Sequence, residues 1–179
     1  MRRLIPGVLI ACVLMPSVAR ATAHPESTSF PASGRPVASA ARVVEHPARP
    51  GRPIGTLVVP RLKLRAPIYS GITDDIFDIG LGHWPGTARP GKPGNVVIGG
   101  HRTGGKMPFV NIDKMRKGDK IRVIIGRKTY TYTVTSKKIT KPTNMSITDQ
   151  TTKPTLTLFT CHPPHSIKLR YIVRAALTS

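Results

Sequence analysis

Three residues stand at the ends of short apolar runs and have the types to do chemistry together. Cys161 closes the run TLTLFT, His101 follows NVVIGG, and Arg170 opens RYIVRAA. A cysteine nucleophile needs a base or an ion partner to raise its thiolate fraction near neutral pH. An imidazole supplies that base and can later protonate a leaving amine. A guanidinium nearby can stabilise the oxyanion of a tetrahedral intermediate. Cysteine, histidine and arginine are therefore sufficient parts for acyl transfer. No Asp or Glu stands in the local windows around them, and no orienting carboxamide is evident.

Each residue also has a plainer reading. Cys161 fits as a small buried apolar residue, His101 as a turn residue after Gly99-Gly100, and Arg170 as one arginine among many. Cys161, His162 and His165 have the ligand types of a zinc site. Alternation along the strand, however, turns His162 to the face opposite Cys161. Pro163-Pro164 then breaks the run, so no metal and no cofactor are expected. His83, in GHWPGT, reads as structural, packed by Trp84 at a turn.

The N-terminus argues for export. Met1-Arg2-Arg3 is followed by an apolar run, Leu4–Val18, and then by Ala21-Thr22-Ala23. Positive start, apolar middle and small-x-small end are the parts of a secretory signal over 1–23. At about 15 residues the run is short of the roughly 20 that span a bilayer, so cleavage after Ala23 is expected rather than retention as an anchor. Leu9–Cys12 resembles a lipoprotein box but sits early in the run. Cleavage leaves Cys161 as the only cysteine, a lone thiol that an exported chain must have a reason to keep. It also removes Arg2, Arg3 and Arg20, taking Lys+Arg from 28 to 25 against 8 acids, a mature charge of +17. That balance favours a polyanion, here the anionic cell envelope. Nucleic acid is not expected, because no recognition motif accompanies the charge.

His24–Pro53 holds six prolines in thirty residues and has no apolar period, so it reads as a flexible tether over 24–53. Residues 54–179 form one domain with short runs of Val, Ile, Thr and Tyr between Gly and Pro. Strands are expected at Gly55–Val59, Leu62–Ile68, Asn95–Gly99, Lys120–Ile125, Lys128–Lys138, Thr155–Thr160 and Arg170–Ala176. Gly126-Arg127 marks a hairpin. Helical turns are expected at Asp74–Leu81, capped by Thr73, and at Phe109–Met115. At least seven strands and no long helix predict an all-β fold, a closed antiparallel β-barrel of seven to eight strands with short helical turns. Strand ends on a barrel rim would present the three candidate residues to a groove.

The segments that hold these residues resemble one family. TLTLFTC carries the TLxTC signature of sortases, the cysteine transpeptidases of Gram-positive cell surfaces. GHWPGTARPGKPGNVVIGGHR is similar to the family's GHYPGT…GNVVIAGHR stretch, and CHPPHSIKLRYIVRAAL to its CHP…R-x-IV-x-A-x-L ending. The likeness runs from Ile54 to Leu177 and is greatest to the class E branch. It implies Cys161 as nucleophile, His101 as acid and base, Arg170 as oxyanion or substrate stabiliser, and Thr160 near the substrate. It also implies cleavage of an LPXTG-type, or LAXTG, sorting signal and transfer of the acyl group to a peptidoglycan-precursor or pilin amine. The implied setting is extracytoplasmic, at the membrane or wall, with the protein a monomer. Pro164 and His165 replace the usual Lys–aromatic pair after CHP. Lys138–Lys153 carries only Asp149, so the calcium site of some sortases is not expected. Two alternatives remain at this point. One is a non-enzymatic basic wall-binding module with an inert Cys161. The other is an L,D-transpeptidase, whose SHGC-R motif is missing here.

Overall fold

The computed structural model describes residues Gly51–Ser179; the expected export signal and most of the expected tether lie outside them. Eight strands close into a barrel: β1 (Gly55–Val59), β2 (Leu64–Ser70), β3 (Leu81–His83), β4 (Asn95–Gly99), β5 (Lys120–Ile125), β6 (Lys128–Thr140), β7 (Thr155–His162) and β8 (Leu169–Leu177). Their order around the wall is β1-β2-β3-β4-β7-β8-β6-β5, returning to β1. Among the described residues no helix is long and apolar enough to cross a membrane.

Local chemistry explains most joints. Gly126 takes φ 57° in the turn between β5 and β6, a left-handed conformation that glycine adopts without a Cβ penalty. Pro60 opens the 3-10 turn Pro60–Leu62 between β1 and β2. Helix α1 (Asp74–Ile79) places Asp74 and Asp75 in its first turn, where carboxylates suit the exposed N–H groups. Thr73 stands at its N-cap as expected, but the side chain makes no capping bond; its carbonyl accepts from Ile76 and Phe77 instead. Of the helical turn expected over Phe109–Met115, only Ile112–Lys114 is helical, as 3-10. Phe109, Ile112 and Met115, spaced by three, are all fully buried.

The barrel is closed, but it is not antiparallel throughout. β2 pairs with β3, and β4 with β7, in parallel; the other six pairings are antiparallel. Parallel neighbours need a crossover connection. For β2 and β3 that crossover carries α1. β3 is the strand the sequence hides. It has three residues, LGH, and exists through its partners: Ile68↔Leu81 on one side and Gly82↔Gly99 on the other.

The wall has two apolar faces. Leu57, Ile98, Tyr132, Leu158 and Val173 fill the barrel. Val97, Phe159 and Ile172 point outward and are covered by Ile147, with Phe77 and Trp84 packed against them. β4 is therefore buried on both sides, which is why NVVIG reads as a continuous run rather than an alternation. Tyr132 accepts a hydrogen bond at its phenol oxygen from Gly91 N, at 3.1 Å. Burial raises its pKa above the usual phenol value, partly offset by that bond. Asp119 opposes its own burial differently. Desolvation alone would push its carboxyl up, but hydrogen bonds from Arg61 and from the Arg116 amide, with both positive charges, hold it below the ordinary carboxylate range.

Candidate active site

The outer face of β4, β7 and β8 carries the candidate residues. Gly99 on β4 is paired in parallel with Phe159 on β7. Side chains alternate between the faces of a strand, so His101 and Cys161, each two positions further on, leave on the same side. Cys161 is itself opposite Arg170 on β8. The three residues predicted from sequence thus meet at one end of three adjacent strands. Gly99 is required there: a Cβ would lie 2.4 Å from the ring of Phe159.

A cleft of about 900 Å³ opens on this face, and His101, Cys161 and Arg170 all line it. Phe77, Trp84, Met145, Ile147 and Ile167 give it apolar walls. The Cys161 thiol is free and half-buried. The Arg170 guanidinium donates from Nη1 to the carbonyls of Ile167, at 2.8 Å, and Leu169, at 3.1 Å, which fixes it against the β7–β8 loop. The Phe77 ring meets His101 edge-on at 5.6 Å between centroids. The 3-10 turn Met145–Thr148 lines the cleft through Met145 and Ile147 and is held by Asn95, a fully buried residue at the start of β4. Asn95 Nδ2 donates to the carbonyls of Ile147, at 2.8 Å, and Asp149, at 3.1 Å, while its Oδ1 accepts from Thr157 Oγ1 at 2.8 Å.

One member of the site was not anticipated. Asp78, on α1, lies with Oδ1 3.2 Å from His101 Nε2. It can orient the imidazole, but its side chain is 58% exposed, so water screens the pair. The available signal was compositional: three of the eight acids in a chain of net charge +20 fall within DDIFDI.

Thr160 lies along the cleft; it is buried, and its hydroxyl donates to the carbonyl of Gly100 at 2.7 Å. The hydroxyl is committed to the backbone just before His101. The zinc arrangement does not form. His162 is on the far side of β7 from Cys161, its Nδ1 engaged by Arg102, and no metal-ligand cluster of three exists among the described residues. His83 serves its turn: Nε2 donates to Ala88 O at 3.0 Å, with the Thr87 hydroxyl 3.2 Å away.

A closed barrel with a thiol, an imidazole and a guanidinium gathered at the ends of neighbouring strands defines a class of fold and site, and comparison with known proteins gives the family of that fold. The sortase-domain family model matches residues 57–178, and the chain belongs to the sortase family. It is 32% identical over 114 residues to sortase D of Bacillus subtilis, covering 63% of this chain and 56% of that protein. It is 34% identical over 140 residues to sortase SrtE1 of Streptomyces coelicolor, covering 69% of this chain and 40% of that one. The chain thus spans about half the length of these curated relatives. Among solved structures, a sortase D5 transpeptidase of Clostridium perfringens matches with a TM-score of 0.67 at 30% identity, covering 73% of this chain and 81% of that one. Sortase E of Streptomyces avermitilis matches with a TM-score of 0.64 at 32% identity, covering 71% and 88%.

Proposed function

We propose that this protein is a cysteine transpeptidase acting on LPXTG-type, or LAXTG, sorting signals of surface proteins. The observation that carries the reading is that His101, Cys161 and Arg170 line one cleft, with Cys161 opposite Arg170 in the β7–β8 ladder and His101 just past the end of β4, in a chain of the sortase family. Cys161 passes its thiol proton to His101, and Sγ attacks the carbonyl carbon of the Thr–Gly bond. The carbonyl oxygen takes the negative charge, and the Arg170 guanidinium faces it. The C–N bond then breaks. His101 gives the departing glycine amine its proton, leaving a thioester on Cys161. A second amine, from a peptidoglycan precursor or a pilin lysine, attacks the thioester and passes its proton to His101. A new amide forms and Sγ is released. Asp78 steadies the imidazole through both transfers. Thr160 contributes by holding Gly100 rather than by a hydroxyl contact with substrate.

The apolar walls suit the apolar residues of such a signal in extended form. The half-buried, cleft-lining thiol argues against an inert core cysteine in a wall-binding module. The N-terminal segment would export the domain, the tether would give it reach, and the mature charge of +17, 25 basic against 8 acidic residues, would hold it near anionic envelope polymers. The test is cleavage of fluorogenic LPXTG and LAXTG peptides by the wild type and by Cys161→Ala, with hydroxylamine as the acceptor amine. Turnover and hydroxamate formation by the wild type alone are expected. Equal cleavage by the alanine variant would remove Cys161 from the mechanism.

A further inference from the structure

The backbone ladder between β4 and β7 ends just before the reacting residues begin. The last registered pair is Gly99↔Phe159, followed by one long bond, Gly100 N to Phe159 O, at 3.3 Å. Two side-chain ties continue where the ladder stops. One is Thr160 Oγ1 to Gly100 O, at 2.7 Å. The other joins Arg102 to His162, Nη1 to Nδ1, also at 2.7 Å. Arg102 directly follows His101, and His162 directly follows Cys161. Successive residues of an extended chain point to opposite faces. His162 therefore turns away from the Cys161 face, and its tie to Arg102, buried at the edge of the cleft, sits at the level of the reacting pair.

Arg102 is 4% exposed. Its Nη2 is 2.8 Å from Asp113 Oδ1, and its Cζ lies 5.6 Å from the centroid of the Tyr171 ring. Tyr171 belongs to β8 and packs against His162 with ring centroids 5.6 Å apart. One guanidinium thus links the exits of β4 and β7, the wall of β8 and the 3-10 turn Ile112–Lys114. The arrangement is not an economical way to stabilise a core. Arg102 Nε is buried without a partner, and a buried ion pair often contributes no more than apolar packing of the same volume. The chemistry also fixes a tautomer. Guanidinium has donors only, so His162 Nδ1 is the acceptor and any ring proton sits on Nε2.

We propose that Arg102 and His162 form a clasp that positions the reacting pair. It holds the ends of β4 and β7 together beyond their last backbone pairing, and so fixes the His101 imidazole against the Cys161 thiol. His162 does not line the cleft, and Arg102, buried at its edge, acts through the tie. The inference rests on the reading of Cys161 and His101 as the reacting groups.

The test compares peptide-cleavage kcat and KM, melting temperature, and the pH profile of Cys161 alkylation by iodoacetamide across four proteins. These are wild type, His162→Leu, His162→Asn and Asp113→Asn. Leucine keeps the bulk and removes the acceptor. Asparagine keeps an acceptor oxygen close to the Nδ1 position. A displacement of about 1 Å between reacting groups costs on the order of 10²-fold in rate. His162→Leu should therefore lower kcat by about 10- to 100-fold, with KM within about twofold, and alter the alkylation profile. His162→Asn should restore kcat to within a few-fold of wild type. Asp113 is 45% exposed, so Asp113→Asn is safe for folding and loosens Arg102 from the other side; a smaller fall in kcat is expected. A merely structural role would lower the melting temperature and leave kcat and the alkylation profile unchanged. A folded His162→Leu with wild-type kcat overturns the clasp, as does an asparagine variant no better than leucine. If His162→Leu fails to fold, an unchanged kcat in Asp113→Asn overturns it. A wild type that neither cleaves peptide nor alkylates at Cys161 refutes the transpeptidase reading itself, and the clasp falls with it.

Discussion

Replacing Asn95 by leucine should cost this domain a large share of its stability and open one wall of the cleft. The side chain is fully buried and satisfies two carbonyls and one hydroxyl. Leucine preserves the approximate volume and leaves all three without their partner. Asp149 is exposed, so water can replace the bond to its carbonyl. The Ile147 carbonyl and the buried Thr157 hydroxyl have no such recourse, and each buried unsatisfied group costs about 1–3 kcal/mol. The sum is roughly 2–6 kcal/mol, against a total of about 5–15 kcal/mol for a typical domain. At roughly 4 °C per kcal/mol for a domain of this size, the melting temperature should fall by about 8–25 °C. Thr157→Val removes one bond and leaves the buried Asn95 Oδ1 without its partner, which should cost about 1–3 kcal/mol, or some 4–12 °C. Circular dichroism melts of the three proteins would test the series. The functional part is separate. Asn95 holds Ile147, and Ile147 and Met145 line the cleft, whereas the reacting residues lie past the other end of β4. KM for a sorting-signal peptide should therefore rise about fivefold, equivalent to roughly 1 kcal/mol, with kcat within twofold. A leucine variant melting within 3 °C of wild type, in round terms well below the size argued from the unsatisfied groups, would refute the reasoning.

Arg170→Lys should lower kcat by about 10²–10³, because an ammonium cannot reproduce the planar fork of donors; near-normal turnover would leave Arg170 acting through charge alone. Asp78→Asn should cost no more than about fivefold in kcat/KM, since the pair with His101 is largely in water. A loss above about a hundredfold would require a carboxylate far more tightly coupled than an exposed pair allows. Asp119→Asn reports on acid stability. The folded carboxyl is held below its unfolded value of about 3.9, so its stabilisation is complete above that pH and is lost as pH falls through the folded pKa. Wild type should melt higher than the variant by a constant margin from pH 5 upward, with the margin shrinking below about pH 4. A margin that widened toward acid would reverse the sign of the argument.

What the sequence made legible was what is encoded locally. β1, β4 and β5 lie where β-branched runs place them, and Gly126-Arg127 marks the β5–β6 turn. His162 was correctly turned away from Cys161 by the period of two. The features that escaped are made by partners distant along the chain. β3 has too few residues to show a pattern and is held from both sides. Asp78 reaches His101 only because the crossover between β2 and β3 packs α1 over the outer face. The hydroxyl of Thr160 and the guanidinium of Arg102 find their acceptors across the β4–β7 junction, sixty positions away. Parallel pairing itself leaves no local mark, since a strand reads the same whichever way its neighbour runs.

That junction also sets a timetable. β5, β6 and the turn between them can assemble from neighbouring residues, but β4 must wait for β7 across the separation from Asn95 to Thr155. Closing so long a loop is entropically slow, and pairings of this kind form late. The thiol and the imidazole come from the two sides of that late seam. On the proposed mechanism, a chain whose β4–β7 seam is still open would hold its nucleophile and its base apart, and reactivity would be withheld until the barrel closes.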